Sequence, residues 1–148
     1  MTMSDLSIVD FAPGNGRMNL RNLPIIIDPA EHQSIHLASQ NLASDLERVT
    51  GSRPAIWTDP SHYDSVEGAI VVGSLERSKL IRDLENDGMA RRGLIHGKWE
   101  TFHTSLQESH WSFARRILVI AGSDNRGTIF GVYTLSEQLG VSPYVDSI

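Results

Sequence analysis

The sequence contains no cysteine, which excludes disulfide bonds, thiolate metal ligands and a cysteine nucleophile. It has no apolar run of membrane-spanning length, because its longest runs are the strand-length segments 24–27, 69–72 and 117–121. The N-terminus lacks a basic segment followed by an apolar one, so no secretory signal is visible and the compartment stays open. The net charge of -5 also argues against a basic nucleic-acid-binding face. We therefore expect neither a membrane nor a nucleic acid as a partner.

The composition is that of one folded globular domain. The chain has 148 residues, of which 40% are hydrophobic and 21% are charged, enough apolar material for a single core. An apolar patch at residues 6–12, followed by the turn-forming residues 13–16, predicts an N-terminal arm or edge strand within residues 1–22. The remainder to residue 143 is predicted to form the α/β domain.

The first helix carries the clearest local signals. Asp28 is predicted to be its N-cap, with Pro29 at the first helical position and Glu31 three residues after the cap. Gly51 is predicted to end the helix. The apolar residues between these ends recur at steps of three and four, which places them on one face: Ile35, Ala38, Leu42, Leu46 and Val49.

Apolar runs and alternating segments predict the remaining elements in the order strand, helix, strand, strand, helix, strand, strand, helix. Helices carrying Leu80, Ile81 and Leu84, and then Ile129 and Val132, follow two of the strands. The pattern indicates a single α/β domain with a mixed β-sheet flanked by about three helices. The predicted strands are residues 24–27, 54–58, 69–72, 98–106 and 117–121.

A glycine-containing turn, Gly122 to Gly127 followed by Thr128, has the spacing of a phosphate-binding loop but lacks its lysine. A helix N-terminus after such a turn could still hold an anion, with Arg126 contributing a contact to a carboxylate. We favour the simpler interpretation, in which Asp124 or Asn125 caps the following helix.

Other candidate chemistry is weak. His32 and His36 have a zinc-compatible spacing, but no third ligand is evident and the order differs from H-E-x-x-H. None of the 18 acidic residues is marked as one of a facing pair of glycosidase carboxylates. The three tryptophans, Trp57, Trp99 and Trp111, could stack on sugars, although a core or interface role is the commoner one. The sequence thus predicts no catalytic, ligand-binding or metal-binding residue and no cofactor.

Four segments together resemble a known family. The run VIAGSDNRGTIFGVYTLSEQLGVSP at residues 119–143 closely resembles the end of the N-terminal domain of glycoside hydrolase family 115. The segment IHGKWETF at residues 95–102 is similar to that family's G-K-W-E segment, and residues 25–50 and 69–75 fit the same order. The resemblance extends from about residue 20 to Pro143.

The resemblance implies an accessory α/β domain that precedes a catalytic (β/α)₈ barrel in a xylan α-1,2-glucuronidase. Members of the family remove glucuronic acid or 4-O-methyl-glucuronic acid side groups from xylan, which makes those groups the implied partners of a full-length enzyme. Many members are secreted. The catalytic residues belong to the barrel, so the resemblance assigns none to this chain.

The chain departs from the family pattern mildly at Asn125 and Phe130 and strongly after Pro143, where residues 144–148 form a divergent tail. We therefore expect a domain truncated before the barrel and inactive by itself. An alternative is a module that binds a carbohydrate or an anion through the 122–127 turn or the tryptophans. In either case the last helix, apolar nearly all round, could dock on a separate catalytic barrel.

Overall fold

The computed structural model describes residues 8–10, 17–58, 66–86, 95–108 and 114–139. The predicted tail at residues 144–148 lies outside them. Within the described residues the chain forms the following elements: β1 (Ile8–Asp10), β2 (Arg17–Asn19), β3 (Ile25–Ile27), α1 (Gln33–Thr50), β4 (Ile56–Trp57), β5 (Val66–Ser74), α2 (Lys79–Asn86), β6 (Phe102–Glu108), β7 (Ala114–Gly122) and α3 (Asn125–Gln138).

The main sheet has the strand order β4-β3-β5-β7-β6. Strand β6 runs antiparallel to β7, and the other neighbouring strands are parallel. The predicted single α/β domain with a mixed sheet and about three helices is therefore confirmed for the described residues. Strands β1 and β2 form a separate antiparallel pair within the predicted N-terminal arm. The boundaries of that arm remain a prediction.

Two apolar layers cover the sheet. Alternate residues of each strand point to opposite faces, so Ile25 and Ile27 pack with α1 and α3, whereas Ile26 packs with α2. Because both faces are covered, the central strands read as continuous apolar runs. None of the described helices combines the length and the hydropathy that a membrane crossing requires.

Helix α1 begins later than the capping signature predicts. It starts at Gln33, and its N-cap is His32, whose side chain makes no capping hydrogen bond. The predicted N-cap at Asp28 is therefore wrong. The carboxylates of Asp28 and Glu31 are engaged elsewhere in the fold, so they are not available to cap α1. The predicted end is confirmed: Gly51 has φ +83° and its N–H donates to Glu47 O at 2.8 Å.

Strand β6 also begins later than alternation predicts, at Phe102 and not at Lys98. Glu100 has φ +50°, and its N–H donates to Asp124 Oδ2 at 2.9 Å. The hydroxyl of Thr101 donates to Trp99 O at 2.8 Å. These contacts form a turn anchored to the start of α3, so the sheet ladder begins only after it.

Candidate functional site

The carboxyl ends of β3, β5 and β7 meet along one edge of the sheet. In open α/β sheets, ligands bind outside this edge, where neighbouring strands send their helices to opposite faces. Helix α1 follows β3 on one face and α2 follows β5 on the other, while β3 and β5 are hydrogen-bonded neighbours. The edge between β3 and β5 is therefore a position at which this rule predicts a binding site.

A buried carboxylate from the protein itself fills that position. Glu31 is only 5% exposed, and its Oε2 accepts the N–H of Ser74 at 2.8 Å. Its Oε1 accepts the Ser74 hydroxyl at 2.8 Å and the His32 N–H at 3.1 Å. The donors that could have bound a ligand's anionic group at this point are thus already paired within the chain.

The carboxylate of Asp28 likewise accepts backbone N–H groups, at the start of α2. Its Oδ1 accepts the N–H of Ala30 at 2.8 Å, and its Oδ2 accepts the N–H of Lys79, the first residue of α2, at 2.8 Å. The hydroxyl of Ser78 accepts the Ile81 N–H at 3.2 Å. The N-terminus of α2 is therefore capped by internal acceptors and does not offer an open anion site.

The N–H groups of the turn after β7 are also bound by side chains of the protein. Asp124 is the N-cap of α3 and accepts the N–H of Gly127 through Oδ1 at 2.8 Å. The N–H of Asn125 donates to Glu76 Oε1 at 3.1 Å. Arg126 lies 3.3 Å from Glu100 Oε1 in an ion pair. The capping interpretation is confirmed, and the geometry gives no support to a phosphate loop.

Close packing explains why glycines stand at both ends of this turn. A Cβ atom at Gly122 would overlap Oγ1 and the backbone nitrogen of Thr128. One at Gly127 would overlap the carbonyl oxygen of Thr101. The spacing that resembles a phosphate loop therefore reflects the approach of α3 to β7 and to the turn before β6.

His32 and His36, the two histidines with a zinc-compatible spacing, have different surroundings in the structure. His32 Nε2 lies 3.1 Å from Glu76 Oε1, so its ring is engaged across the edge of the sheet. His36 is half-buried one turn further along α1. In the part of the chain that the structure describes, no three His, Asp or Glu side chains are placed to hold a metal ion.

The three tryptophans have different environments. Trp57 is half-buried and packs against the core layer beside α2, as a core role predicts. Trp99 is 86% exposed, so it is not a core residue, and it lies in the turn before β6. Trp111 lies outside the described residues.

An open cleft lies at the same carboxyl edge, beyond the ends of β5 and β7. Its volume is about 320 Å³. Arg82 Nη1 donates to Leu75 O at 3.3 Å and to Glu76 O at 3.4 Å, which positions the guanidinium beside the cleft. The residues lining the cleft are Leu75, Glu76, Arg82, Asn86, His96, Gly97 and Ser123.

Sequence reasoning did not find this cleft. Its residues come from the end of β5, from α2, from the segment before β6 and from the turn after β7, so no local motif joins them. Ser123 belongs to the turn that the sequence singled out, but Glu76, Arg82 and His96 carry no signal of their own.

Chains similar to this one are found among the solved structures. The chain is similar to a solved structure described as a novel family GH115 4-O-methyl-α-glucuronidase with specificity for decorated arabinogalactans. The similarity has 30% sequence identity and a TM-score of 0.57, and it covers 82% of this chain. It covers only 14% of the enzyme's chain. The chain therefore has a fold related to a small part of a GH115 enzyme.

Comparisons of sequence alone do not add to this result. No protein-family model matches the chain, and no curated protein matches it.

Proposed function

We propose that this chain is a non-catalytic accessory domain, of the kind that precedes the catalytic barrel in xylan α-glucuronidase-like glycoside hydrolases of family 115. The observation that carries the proposal is the structural likeness to 14% of a family GH115 enzyme, at 30% identity over most of this chain. The specific assignment to the N-terminal domain rests on the sequence resemblance of residues 95–102 and 119–143.

The form of the described domain supports a role without turnover. A (β/α)₈ barrel is a closed ring of parallel strands, whereas the described main sheet has five strands, of which β6 is antiparallel to its neighbour β7. Canonical glycosidases use two carboxylates that face each other across the substrate. Among the described residues, the cleft at the carboxyl edge is lined by one carboxylate, that of Glu76.

An apolar outer surface supports docking on a catalytic domain. Leu37 of α1 is 53% exposed, and Phe130 and Tyr133 of α3 are 42% and 46% exposed. Helices α1 and α3 pack side by side on one face of the sheet, and the three side chains lie on their solvent-facing sides. We call these three residues the helix-layer apolar surface. A contiguous exposed apolar patch is typical of an interaction surface, and the docking proposal requires these three side chains to form one.

The alternative, a module that binds an anion at the 122–127 turn, has less support. Asp124 and Glu76 already accept the N–H groups of Gly127 and Asn125 at that turn. Arg126, the cation that would contact the carboxylate of a ligand there, already forms an ion pair with Glu100. A ligand would have to displace three internal interactions to bind there.

The proposal predicts that the purified chain releases no uronic acid from glucuronoxylan or from glucuronidated arabinogalactan. Product analysis by anion-exchange chromatography would measure this, with an intact family GH115 enzyme as the positive control. The expected rate equals that of buffer, because Glu76 is the one carboxylate that lines the cleft among the described residues. Release above the buffer rate that persists through repeated purification would refute a non-catalytic role.

The docking proposal predicts that the chain binds a family GH115 enzyme from which the portion similar to this chain has been deleted. Replacing Leu37, Phe130 and Tyr133 together with serine should weaken that binding by more than about 2 kcal/mol, since buried aromatic anchors dominate interfaces. Calorimetry would measure the affinity, and circular dichroism would check that the variant is folded.

A matched triple variant tests whether the apolar character of the surface is responsible. Serine at Gln40, Arg48 and Glu137 replaces three exposed polar residues on the same two helices and should leave the affinity unchanged. Equal affinities for both triple variants would argue against the helix-layer apolar surface as the docking site.

A further inference from the structure

The cleft at the carboxyl edge contains a cation that has no acidic partner among the described residues. Five of the other described cations, though not all of them, each pair with a carboxylate: Arg48, Arg53, Lys79, Arg115 and Arg126. Arg82 instead donates through Nη1 to two backbone carbonyl oxygens, which fixes its position at the cleft. Its guanidinium can still form a charge-assisted hydrogen bond with an incoming carboxylate.

Hydroxyl-binding groups surround this cation. Glu76 uses Oε1 to contact His32 and the Asn125 N–H, which leaves Oε2 to accept a hydrogen bond from a ligand. The Ser123 hydroxyl accepts the Thr101 N–H at 3.0 Å and still has its own proton to donate. Asn86 adds an amide that can both donate and accept.

The size of the cleft limits the ligand. Its volume of about 320 Å³ is at the small end of the roughly 300–1,000 Å³ range of small-molecule sites. One carboxylate-bearing ring fits this volume better than an oligosaccharide does. The location also agrees with the rule that ligands of open α/β sheets bind beyond the carboxyl ends of the strands.

We propose that this cleft binds a small hydroxylated carboxylate of the size of a single sugar acid. Arg82 holds the carboxylate, while Glu76, Asn86 and Ser123 bind the hydroxyl groups. This site is separate from the helix-layer apolar surface, so it does not depend on the docking of the domain. Failure of one proposal leaves the other intact.

Titration of the whole chain by amide chemical shifts would test the site with three ligands. D-Glucuronate has both the ring and the carboxylate, D-glucose lacks the carboxylate, and acetate lacks the ring. We expect saturable shifts at Leu75, Gly97 and Ser123 with glucuronate. We expect both glucose and acetate to bind at least about tenfold more weakly, a difference of about 1.4 kcal/mol.

Two variants test whether the positive charge of Arg82 binds the carboxylate of the ligand. Arg82→Gln keeps a donor for the carbonyl oxygens but removes the charge, so glucuronate should bind no better than glucose. Arg48→Gln, on an exposed arginine of α1, should bind glucuronate like the original protein. Glucuronate shifts that do not saturate would overturn the proposal, as would glucose or acetate binding as tightly as glucuronate. An Arg82→Gln variant that still prefers glucuronate over glucose would also overturn it.

Discussion

Replacing Glu31 with alanine is expected to destabilise the domain by about 3 kcal/mol or more, because each buried donor left unpaired costs about 1–3 kcal/mol. Three donors lose their acceptor in this variant: the N–H and the hydroxyl of Ser74, and the N–H of His32. Ser74 is fully buried, so water does not readily replace the carboxylate. Urea unfolding followed by circular dichroism would measure the free energy of unfolding.

Two further variants test whether the buried hydrogen bonds of Glu31, and not simply the loss of a glutamate, account for the change in stability. Glu137→Ala removes an exposed carboxylate from α3 and should change the free energy of unfolding little. Glu31→Gln keeps one acceptor oxygen and should fall between Glu31→Ala and the original protein. If Glu31→Ala unfolds at the same urea concentration as Glu137→Ala, the buried carboxylate does not stabilise the edge of the sheet.

Gly127→Ala should destabilise the domain by about 2 kcal/mol, although alanine is favoured over glycine in a helix interior by about 1 kcal/mol. The backbone of Gly127 does not have a positive φ, so strain of the main chain is not the reason. The added Cβ would overlap the carbonyl oxygen of Thr101, and a backbone atom cannot rotate away as a side chain can. Chemical unfolding would again measure the change.

The sign of this change is decisive, because helix propensity alone predicts stabilisation. Ser136→Ala in the same helix is the matched control, since the Ser136 hydroxyl is buried without a hydrogen-bond partner among the described residues. Removing that hydroxyl should stabilise the domain by about 1 kcal/mol. A stabilised Gly127→Ala variant would mean that α3 does not approach Thr101 as closely as the structure indicates.

The features that sequence alone predicted are those with a local physical cause. The apolar runs of β3 and β5 and the three- and four-residue steps along α1 depend on neighbours within the same element, so they predicted the correct order of elements. Gly51 was also predictable, because a residue with φ +83° at a helix end favours glycine.

The features that sequence missed depend on distant partners. The run from Asp28 to Glu31 satisfies the local rules for capping α1, but Glu31 binds Ser74, which is 43 residues away in the chain. Alternation predicted that a strand would begin at Lys98, but contacts with Asp124 turn the chain before Phe102. The cleft around Arg82 was not predictable for the same reason, since its lining residues converge only after folding.

The pairing of β5 with β7 has a consequence for how the protein folds. Val66 pairs with Ala114, so a long loop must close before this central ladder gains any stabilisation. Strands β6 and β7 are closer in sequence, with Glu108 opposite Arg116 at one end of their ladder. We infer that the β6–β7 hairpin forms early and that the pairing of β5 with β7 limits the rate of folding.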